Sequence, residues 1–480
     1  MGNDIAKLWI DGEWRRASNG ASASSINPGT GETIGEFADA CVEDAVAAIA
    51  AARRTFDAGS WSRQPRLRAS VLLELADRLE RVRPQLAWDL ARENGKPIRD
   101  AMHEVAGAIS ELRYYAGLAR NLFGRAIELE PGLNTLLRRE PVGVVGIIVP
   151  WNAPIALVVR SLAPVIAAGC TAVVKAAPQT AIVNAKVFEQ LAGVEDLPRG
   201  AVNMLVETGS GVSRYLVSSP DVDMISYTGS TEVGKLIMES AAKTLKRVNL
   251  ELGGSAPCVV LDDADLDAAA QGIVRAAISH AGQVCVAASR VIAHRSIADA
   301  LETKLAERLR AARLGLADDP ATELGPMIDK KSCERVHALV ERSKDGGEVL
   351  LEGRFGEGPL AAGAFLSPSL VRVTDARSPL LTQEVFGPVL SVQVFDDDDE
   401  AIAKANDTRY GLAASVWSRN LARAQRVAFA IRAGSVWINA HSRLFPEIET
   451  GGYRESGIGR LHGVEGLEAF LQTKAVTYEI

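Results

Sequence analysis

The stretch VGVVGIIVPWNAP, residues 142–154, decides the fold class of this chain. It opens with a continuous run of glycine and β-branched residues, 142–149, which is typical of a strand buried on both faces of a parallel sheet. The segment that follows, 155–168, is rich in alanine and leucine and predicts a helix. A doubly buried strand followed at once by an apolar helix indicates the start of a βαβ unit.

The same alternation of strand and helix runs on through the chain. The first block continues with predicted strands at 171–174, 201–206 and 224–227 and predicted helices at 181–191, 212–217 and 233–243. A second block, from about 256 to 418, has predicted strands at 257–261, 289–293, 390–395 and 413–417, with later strands at 435–439 and 475–480. Helices at 42–56, 65–83 and 104–122 precede both blocks. This pattern predicts an α/β protein with two doubly wound, Rossmann-like parallel-sheet domains, divided near Gly253 and Gly254.

Composition and charge exclude several classes of protein. The 480 residues are 47% hydrophobic and carry a net charge of -7, so nucleic acid is not an expected partner. The five cysteines form no CxxC pair and the six histidines show no metal-ligand spacing, so neither a disulfide framework nor a metal site is predicted. The first residues do not read as a secretory signal, and the most apolar run is too short to span a membrane. The expected location is the cytoplasm, with no membrane partner.

Three positions suggest catalytic chemistry, each beside a structural alternative. Cys285, in GQVC, lies at a predicted helix–strand boundary among small residues, although a lone cysteine is more often a buried apolar side chain. Glu251 is either a strand-end or ion-paired carboxylate, or a general base whose pKa an apolar setting raises. Asn152, directly after a buried strand, is either a turn or helix cap or a donor to an oxyanion.

The segment YTGSTEVGKL, residues 227–236, is a candidate phosphate site because it follows a strand and opens a helix. It nearly matches a P-loop through Gly229, Gly234 and Lys235, but Leu236 lacks the hydroxyl that such a loop offers to Mg²⁺. The GxGxxG dinucleotide fingerprint is absent from the sequence. These residues alone therefore leave a P-loop-like nucleotide hydrolase as one alternative, and a non-catalytic binding protein on the same fold as another.

Taken together and in order, the motifs resemble the aldehyde dehydrogenase superfamily, in its NAD(P)-dependent, non-acylating branch. The resemblance covers nearly the whole chain and rests on PWNAP (150–154), the segment around Lys175, YTGSTEVG (227–234), LELGG (250–254), GQVC (282–285), EVFGPV (384–389), YGLAASV (410–416) and GGYRESGIGR (451–460). It implies oxidation of a small aldehyde to the carboxylic acid through a cysteine thiohemiacetal and thioester.

The resemblance also implies a role for each matching position. Cys285 resembles the nucleophile, Glu251 the general base and Asn152 the oxyanion-hole side chain. The positions that resemble contacts to NAD or NADP are Trp151, whose backbone lines the cofactor groove, Lys175 on the adenosine ribose, Gly229 and Ser230 over the pyrophosphate, Glu384 on the nicotinamide ribose, and Phe386 in the same motif.

Several positions depart from the family pattern and bear on the substrate and the cofactor. Pro178 replaces a glutamate that often binds ribose hydroxyls, which makes NADP tolerable. The substrate-pocket candidates are Ala153, in place of a bulky residue, Thr450, where an aromatic wall is lost, and Arg160, on the helix after Asn152. Arg160 resembles an arginine of members that act on semialdehyde acids or aromatic aldehydes, and a structural ion pair is the alternative.

By the same resemblance, the chain divides into three parts. The expected NAD(P)-binding domain takes 1–123, 141–252 and 434–461, and the expected catalytic domain takes 253–433. A small bridging β element, 124–140 with 462–480, is expected to build a homodimer or homotetramer.

Overall fold

The computed structural model describes residues 5–480. The helices in this range are α1 (Val42–Asp57), α2 (Pro65–Asn94), α3 (Ile98–Ala119), α4 (Pro154–Ala168), α5 (Ala181–Ala192), α6 (Gly211–Ser218), α7 (Thr231–Ala242), α8 (Leu266–Ile278), α9 (Ala298–Ala311), α10 (Lys330–Arg342), α11 (Pro379–Thr382), α12 (Asp398–Asn406), α13 (Leu421–Ala430) and α14 (Gly463–Glu468). Among these described residues, no helix has the length and apolar character needed to cross a membrane.

The strands fall into two large sheets and two small ones. They are β1 (Leu8–Ile10), β2 (Glu13–Arg15), β3 (Ser22–Ile26), β4 (Thr33–Ala38), β5 (Arg125–Glu130), β6 (Leu133–Pro141), β7 (Val144–Ile148), β8 (Thr171–Ala176), β9 (Val202–Val206), β10 (Met224–Thr228), β11 (Arg247–Glu251), β12 (Ala256–Val260), β13 (Ala288–His294), β14 (Gly347–Leu351), β15 (Ser369–Val373), β16 (Val389–Phe395), β17 (Ala413–Trp417), β18 (Ser435–Ile438), β19 (Gly457–Ile458) and β20 (Leu471–Glu479). The smallest sheet pairs β3 with β4.

The first large sheet has the strand order β19-β11-β10-β7-β8-β9-β1-β2, and its five central strands, β11 to β9, are parallel. From β7 the chain moves outward through β8 and β9, then returns to β10 and β11 on the other side of β7. The order therefore reverses between β7 and β10. In open α/β sheets, the carboxyl ends of the strands at such a reversal border a ligand-binding crevice.

Strand β7 is buried at every residue because helices cover both faces of the sheet. Val145 and Ile147 pack into a core with residues of α2, α3 and α4. Val144 and Ile148 point the other way, into a core with residues of α1 and α6. Alternate side chains of a strand face opposite sides, so an uninterrupted apolar run is what this position requires.

The second large sheet has the order β14-β15-β16-β13-β12-β17-β18, in which only the edge strand β14 is antiparallel. Strand β11 belongs to the first sheet and the next strand, β12, to the second, so the chain passes from one sheet to the other at Gly253 and Gly254; β19 later returns to the first sheet. The prediction of two doubly wound parallel sheets is confirmed.

A three-stranded antiparallel sheet, β20-β6-β5, stands apart from both large sheets. It joins the predicted segment 124–140 to the C-terminal strand, in nine residue pairs between β6 and β20. Every residue of β5 is exposed, including Leu129, and Tyr478 of β20 is exposed as well. The bridging role of this element in an oligomer stays a prediction.

Two of the differences from the sequence predictions concern long segments. Segment 434–461 does not belong to one domain as expected: β18 extends the second sheet in parallel beside β17, whereas β19 pairs with β11 of the first. Helix α2 continues past its predicted end at residue 83, through Pro84 to Asn94. Buried Leu86 and Leu90 pack in the core, which offsets the hydrogen bond that a proline removes.

Candidate active site

A cavity of about 1550 Å³ opens at the carboxyl ends of β7, β10 and β11 and reaches the loops of the second sheet. Most of the predicted site residues line it, namely Trp151, Asn152, Ala153, Arg160, Gly229, Ser230, Glu251, Cys285, Glu384 and Phe386. Lys175 and Thr450 do not line it. The sheet reversal therefore brings together the residues that the sequence motifs single out.

Asn152 is fixed between the two sheets. Its amide Nδ2 donates to the backbone carbonyl of Gln283 at 2.9 Å, two residues before Cys285. Its own backbone carbonyl accepts from Lys96 Nζ at 2.9 Å, and the preceding carbonyl, of Trp151, accepts from Asn94 Nδ2 at 2.7 Å. An amide Nδ2 carries two N–H groups, so one remains available to a ligand beside the cysteine loop.

Lys96 and Glu104 form a buried ion pair behind this turn. Glu104 also accepts from the backbone N–H groups of Ile155 and Ala156, at 3.0 and 3.2 Å, in the first turn of α4. A carboxylate at a helix N-terminus satisfies N–H groups that have no partner inside the helix. The pair therefore holds both the turn that contains Asn152 and the start of the helix after it.

Cys285 lies on the loop between α8 and β13, and part of its surface is exposed to the cavity. The loop begins near His280 and Ala281, whose φ angles of 46° and 53° lie in the left-handed region. Such angles are costly for residues other than glycine and persist where the surroundings impose them. Gly254 approaches so closely that a Cβ there would lie 2.4 Å from the carbonyl oxygen of Cys285.

Desolvation raises the pKa of the Cys285 thiol to about 11. The Arg160 guanidinium opposes this rise, whereas the carboxylates of Glu384 and Glu251 add to it. The thiolate is the reactive form of cysteine, so this thiol needs a base to accept its proton.

Glu251, the last residue of β11, is the carboxylate suited to that task. Burial raises its pKa to about 7, against the opposing charges of Arg160 and Arg460. Its Oε1 is buried and has no hydrogen-bond partner among residues 5–480. A carboxylate whose pKa lies near neutral pH can accept a proton and release it again.

Glu384 and Phe386 line the same cavity from the second sheet. Glu384 accepts from the backbone N–H of Gly254 at 3.1 Å, and burial raises the pKa of this carboxyl to about 7. A Cβ at Gly253 would lie 2.3 Å from Glu384 Oε2, so a larger residue there would displace the Glu384 carboxylate. The Phe386 ring meets the Trp151 ring edge to face, with centroids 5.8 Å apart.

The turn at Gly229 and Ser230 joins β10 to α7 beside Glu251. The Gly229 N–H donates to the Glu251 carbonyl at 3.0 Å, and Ser230 caps α7 by accepting from the Val233 N–H at 3.3 Å. Lys175 stands near the end of β8, at the same edge of the sheet, and burial lowers the pKa of its ammonium. A helix N-terminus suits a phosphate, and a buried carboxylate suits ribose hydroxyls, so these residues fit a dinucleotide.

Arg160 reaches into the cavity from α4. Its Nη2 donates to the hydroxyl of Thr228 at 2.9 Å, while its Nε, although buried, has no partner among the described residues. No carboxylate of residues 5–480 forms an ion pair with it, so the structural ion pair that was the alternative is absent from this part of the chain. The guanidinium therefore has no ion-pair partner among residues 5–480, and its Nε–H has no hydrogen-bond partner there.

A model of the aldehyde dehydrogenase family matches residues 14–476. The chain belongs to the aldehyde dehydrogenase family. It is 38% identical to betaine aldehyde dehydrogenase of Bacillus subtilis, over 98% of this chain and 96% of that one. It is 37% identical to phenylacetaldehyde dehydrogenase of Pseudomonas fluorescens, over 98% and 95% of the two chains. Betaine aldehyde dehydrogenase of Staphylococcus aureus, solved in complex with NAD⁺, has a TM-score of 0.97 at 35% identity, covering 99% of this chain and 95% of that chain.

Membership of the aldehyde dehydrogenase family confirms the resemblance. It gives no support to the two alternatives, a P-loop-like nucleotide hydrolase and a non-catalytic binding protein. The lysine of the near-P-loop segment, Lys235, donates to the Glu455 carboxylate at 3.0 Å, and the neighbouring Leu236 is exposed. Thr228, Gly229 and Ser230 are the part of this segment that lines the cavity. Within residues 5–480, no cluster of His, Cys, Asp or Glu side chains is arranged to hold a metal ion.

Two predicted residues lie apart from the cavity of this aldehyde dehydrogenase, and others were missed. Thr450 forms a β-bridge with Leu461, and its hydroxyl donates to the Leu461 carbonyl at 3.5 Å. This side chain is therefore not part of the cavity wall. Lys96, Glu104, Glu111 and His462 line the cavity and were not predicted. A buried carboxylate on an otherwise apolar helix face was the available sequence signal for Glu104 and Glu111.

Proposed function

We propose that the chain oxidises an aldehyde to the carboxylic acid, with NAD or NADP as the hydride acceptor and Cys285 as the nucleophile. The observation that carries this proposal is the convergence of Cys285, Asn152 and Glu251 on one cavity from two different sheets. A nucleophile, an oxyanion donor and a base are the three groups that acyl chemistry at a cysteine requires.

The side chains of this cavity support a sequence of steps. Glu251 accepts the proton of the Cys285 thiol, and the sulfur attacks the aldehyde carbon to form a thiohemiacetal. The free N–H of the Asn152 amide donates to the resulting oxyanion. When NAD or NADP is bound, its nicotinamide would accept the hydride that leaves this carbon, and a thioester would remain on the cysteine. Glu251 releases the thiol proton to solvent before it removes a proton from water, which attacks the thioester and releases the acid and the cysteine thiolate. Glu251 returns its proton to this thiolate, so that one proton leaves to solvent in each turnover.

The uncompensated Arg160 guanidinium supports a substrate class. A positive charge without an ion-pair partner favours a carboxylate or an electron-rich polar group and disfavours a cation. We therefore propose a semialdehyde acid or a polar aromatic aldehyde as the substrate, rather than a quaternary ammonium aldehyde. The relative named for phenylacetaldehyde supports an aromatic aldehyde, whereas the relative named for betaine aldehyde, a quaternary ammonium aldehyde, does not support this choice.

The cofactor and the assembly are also proposed. The solved relative in complex with NAD⁺ supports NAD, and Pro178, at the start of a short helix after β8, supports tolerance of NADP. The exposed apolar residues of the β5-β6-β20 sheet support a homodimer or homotetramer built through this element.

The experiment that tests the reaction follows NADH and NADPH formation with aliphatic, aromatic, carboxylate-bearing and quaternary ammonium aldehydes. The wild type is compared with Cys285→Ser and with Cys41→Ser, a matched change at a half-buried cysteine outside the cavity. We expect turnover in the wild type and in the Cys41 variant, and none in the Cys285 variant. Equal turnover in all three proteins would overturn the assignment of the nucleophile.

A further inference from the structure

One wall of the cavity carries a second pair of polar side chains that the proposed reaction does not use. Glu111, on α3, is 3% exposed, and its Oε2 accepts from His462 Nδ1 at 2.8 Å. Both residues line the cavity. The other oxygen of this carboxylate, Oε1, is buried and has no partner among residues 5–480.

The pair is held in place from behind. His462 immediately precedes α14, and the next residue, Gly463, accepts from the buried Tyr115 hydroxyl at 3.1 Å. Tyr115 lies one turn beyond Glu111 on the same helix, so α3 fixes both members of the pair. The orientation of the carboxylate is therefore set by the fold.

The hydrogen-bonding character of this wall follows from the chemistry of the pair. A carboxylate only accepts, so the Nδ1 that faces it carries the proton and donates. Oε1 of Glu111 is the acceptor that remains in this wall, and an acceptor that is buried without a partner is costly unless a ligand donates to it.

Arg160 offers the opposite character within the same cavity, since its buried Nε–H is a donor without a partner in the described chain. An ammonium group would suit Glu111 but not the guanidinium of Arg160. A carboxylate would suit Arg160 but not Glu111. A hydroxyl both donates and accepts and carries no charge, so it is the group compatible with both residues.

We infer that Glu111, oriented by His462, forms a subsite for a hydroxyl group of the aldehyde substrate, whose O–H donates to Oε1. The inference rests on the proposed function and narrows its substrate class to hydroxylated aldehydes. Arg160 acts in the same cavity as a donor to an acceptor atom of that substrate.

The test compares ortho, meta and para hydroxybenzaldehyde with the methoxy compound of the same ring position and with benzaldehyde. A methoxy oxygen accepts but cannot donate, so the difference between a hydroxy compound and its methoxy partner measures the contribution of the O–H donor. We expect at least one hydroxy compound to exceed its methoxy partner in kcat/KM by about tenfold or more, because hydrogen bonds to charged groups are among the stronger ones. Glu111→Leu should abolish this preference, and Glu111→Gln, which keeps an acceptor oxygen, should retain part of it.

The matched control is Glu468→Leu, which removes an exposed carboxylate at the end of α14 outside the cavity and should leave the preference unchanged. A hydroxy-to-methoxy ratio below about twofold at every ring position, or a ratio that survives Glu111→Leu in a folded protein, would overturn the inference. Turnover of benzaldehyde that depends on Cys285 would leave the proposed reaction standing in either case.

If none of these aldehydes is oxidised, calorimetric measurement of the binding of the hydroxybenzyl and methoxybenzyl alcohols tests the Glu111 subsite without turnover. Tighter binding of a hydroxy compound to the wild type, lost in Glu111→Leu, would support the subsite although the reaction had failed. Equal binding of the two compounds to the wild type would overturn it.

Discussion

Glu251 gives the sharpest test of the proposed chemistry, because its titration fixes both the direction and the size of an effect. Its pKa is raised to about 7 by burial, and the ionised form is the base. Activity is therefore lost as the pH falls through this pKa. From pH 6 to pH 8 the ionised fraction rises from about one tenth to about nine tenths, so kcat should rise about tenfold.

The perturbation is Glu251→Gln, which keeps the shape of the side chain and removes the base. General base catalysis contributes about 10²–10⁴-fold, so kcat should fall by that factor and the step near pH 7 should disappear. Stopped-flow measurement of NADH at saturating cofactor and aldehyde separates the stages. We expect both the first turnover and the steady state to slow, since activation of the Cys285 thiol and hydrolysis of the thioester both need this base.

The matched control is a second buried carboxyl of the cavity, Glu384, whose pKa burial also raises to about 7. Glu384→Gln should raise KM for the cofactor and leave the pH step in place. The reasoning is refuted if Glu251→Gln retains more than about a tenth of kcat, or if its rate keeps the same step while Glu384→Gln loses it.

Three further predictions follow from the same contacts. Lys96→Met leaves the buried Glu104 carboxylate without its cation, a loss that costs about 3–5 kcal/mol of stability, and should lower both Tm and kcat. The control is Lys186→Met, which removes a half-exposed ion pair worth at most about 1 kcal/mol. Equal Tm values for the two variants would contradict the stabilising role of the Lys96–Glu104 pair. Arg160→Gln should move the pH–rate profile to higher pH, because the guanidinium lowers the pKa of both catalytic groups; an unshifted midpoint would argue against it. Pro178→Glu should raise KM for NADP at least tenfold more than KM for NAD, and a uniform change would remove Pro178 from cofactor selection.

The sequence predicted β7 and β10 well because every residue of each strand is buried. Strand β7 is an uninterrupted apolar run, a pattern that no amphipathic helix imitates. Strand β11 of the same sheet, which begins at the exposed Arg247, was not predicted. The catalytic assignments came from motifs that lie at strand ends or on tight glycine turns. Gly254 illustrates the reason: the backbone carbonyl of Cys285 approaches it so closely that a larger residue would push the cysteine loop away, so the glycine of the motif reflects this contact.

Features that depend on a partner distant in the chain were not predictable. Glu111 and His462 are 351 residues apart, and nothing local to either position indicates the other. The sheet that receives β18 is decided by its neighbour β17, not by its own residues. Helix α2 passes through Pro84 because packing against α3 outweighs a local preference, and such packing is visible only in the fold.

The hydrogen bond from Asn152 to the Gln283 carbonyl has a further consequence for how the molecule can move. One end belongs to the turn after β7 in the first sheet, and the other belongs to the cysteine loop of the second. Separation of the two sheets would pull the oxyanion donor away from the nucleophile. We therefore expect substrates and products to exchange through the mouth of the cavity while the two sheets stay together. A hinge that opened between turnovers would break and re-form the contact between Asn152 and the cysteine loop each time.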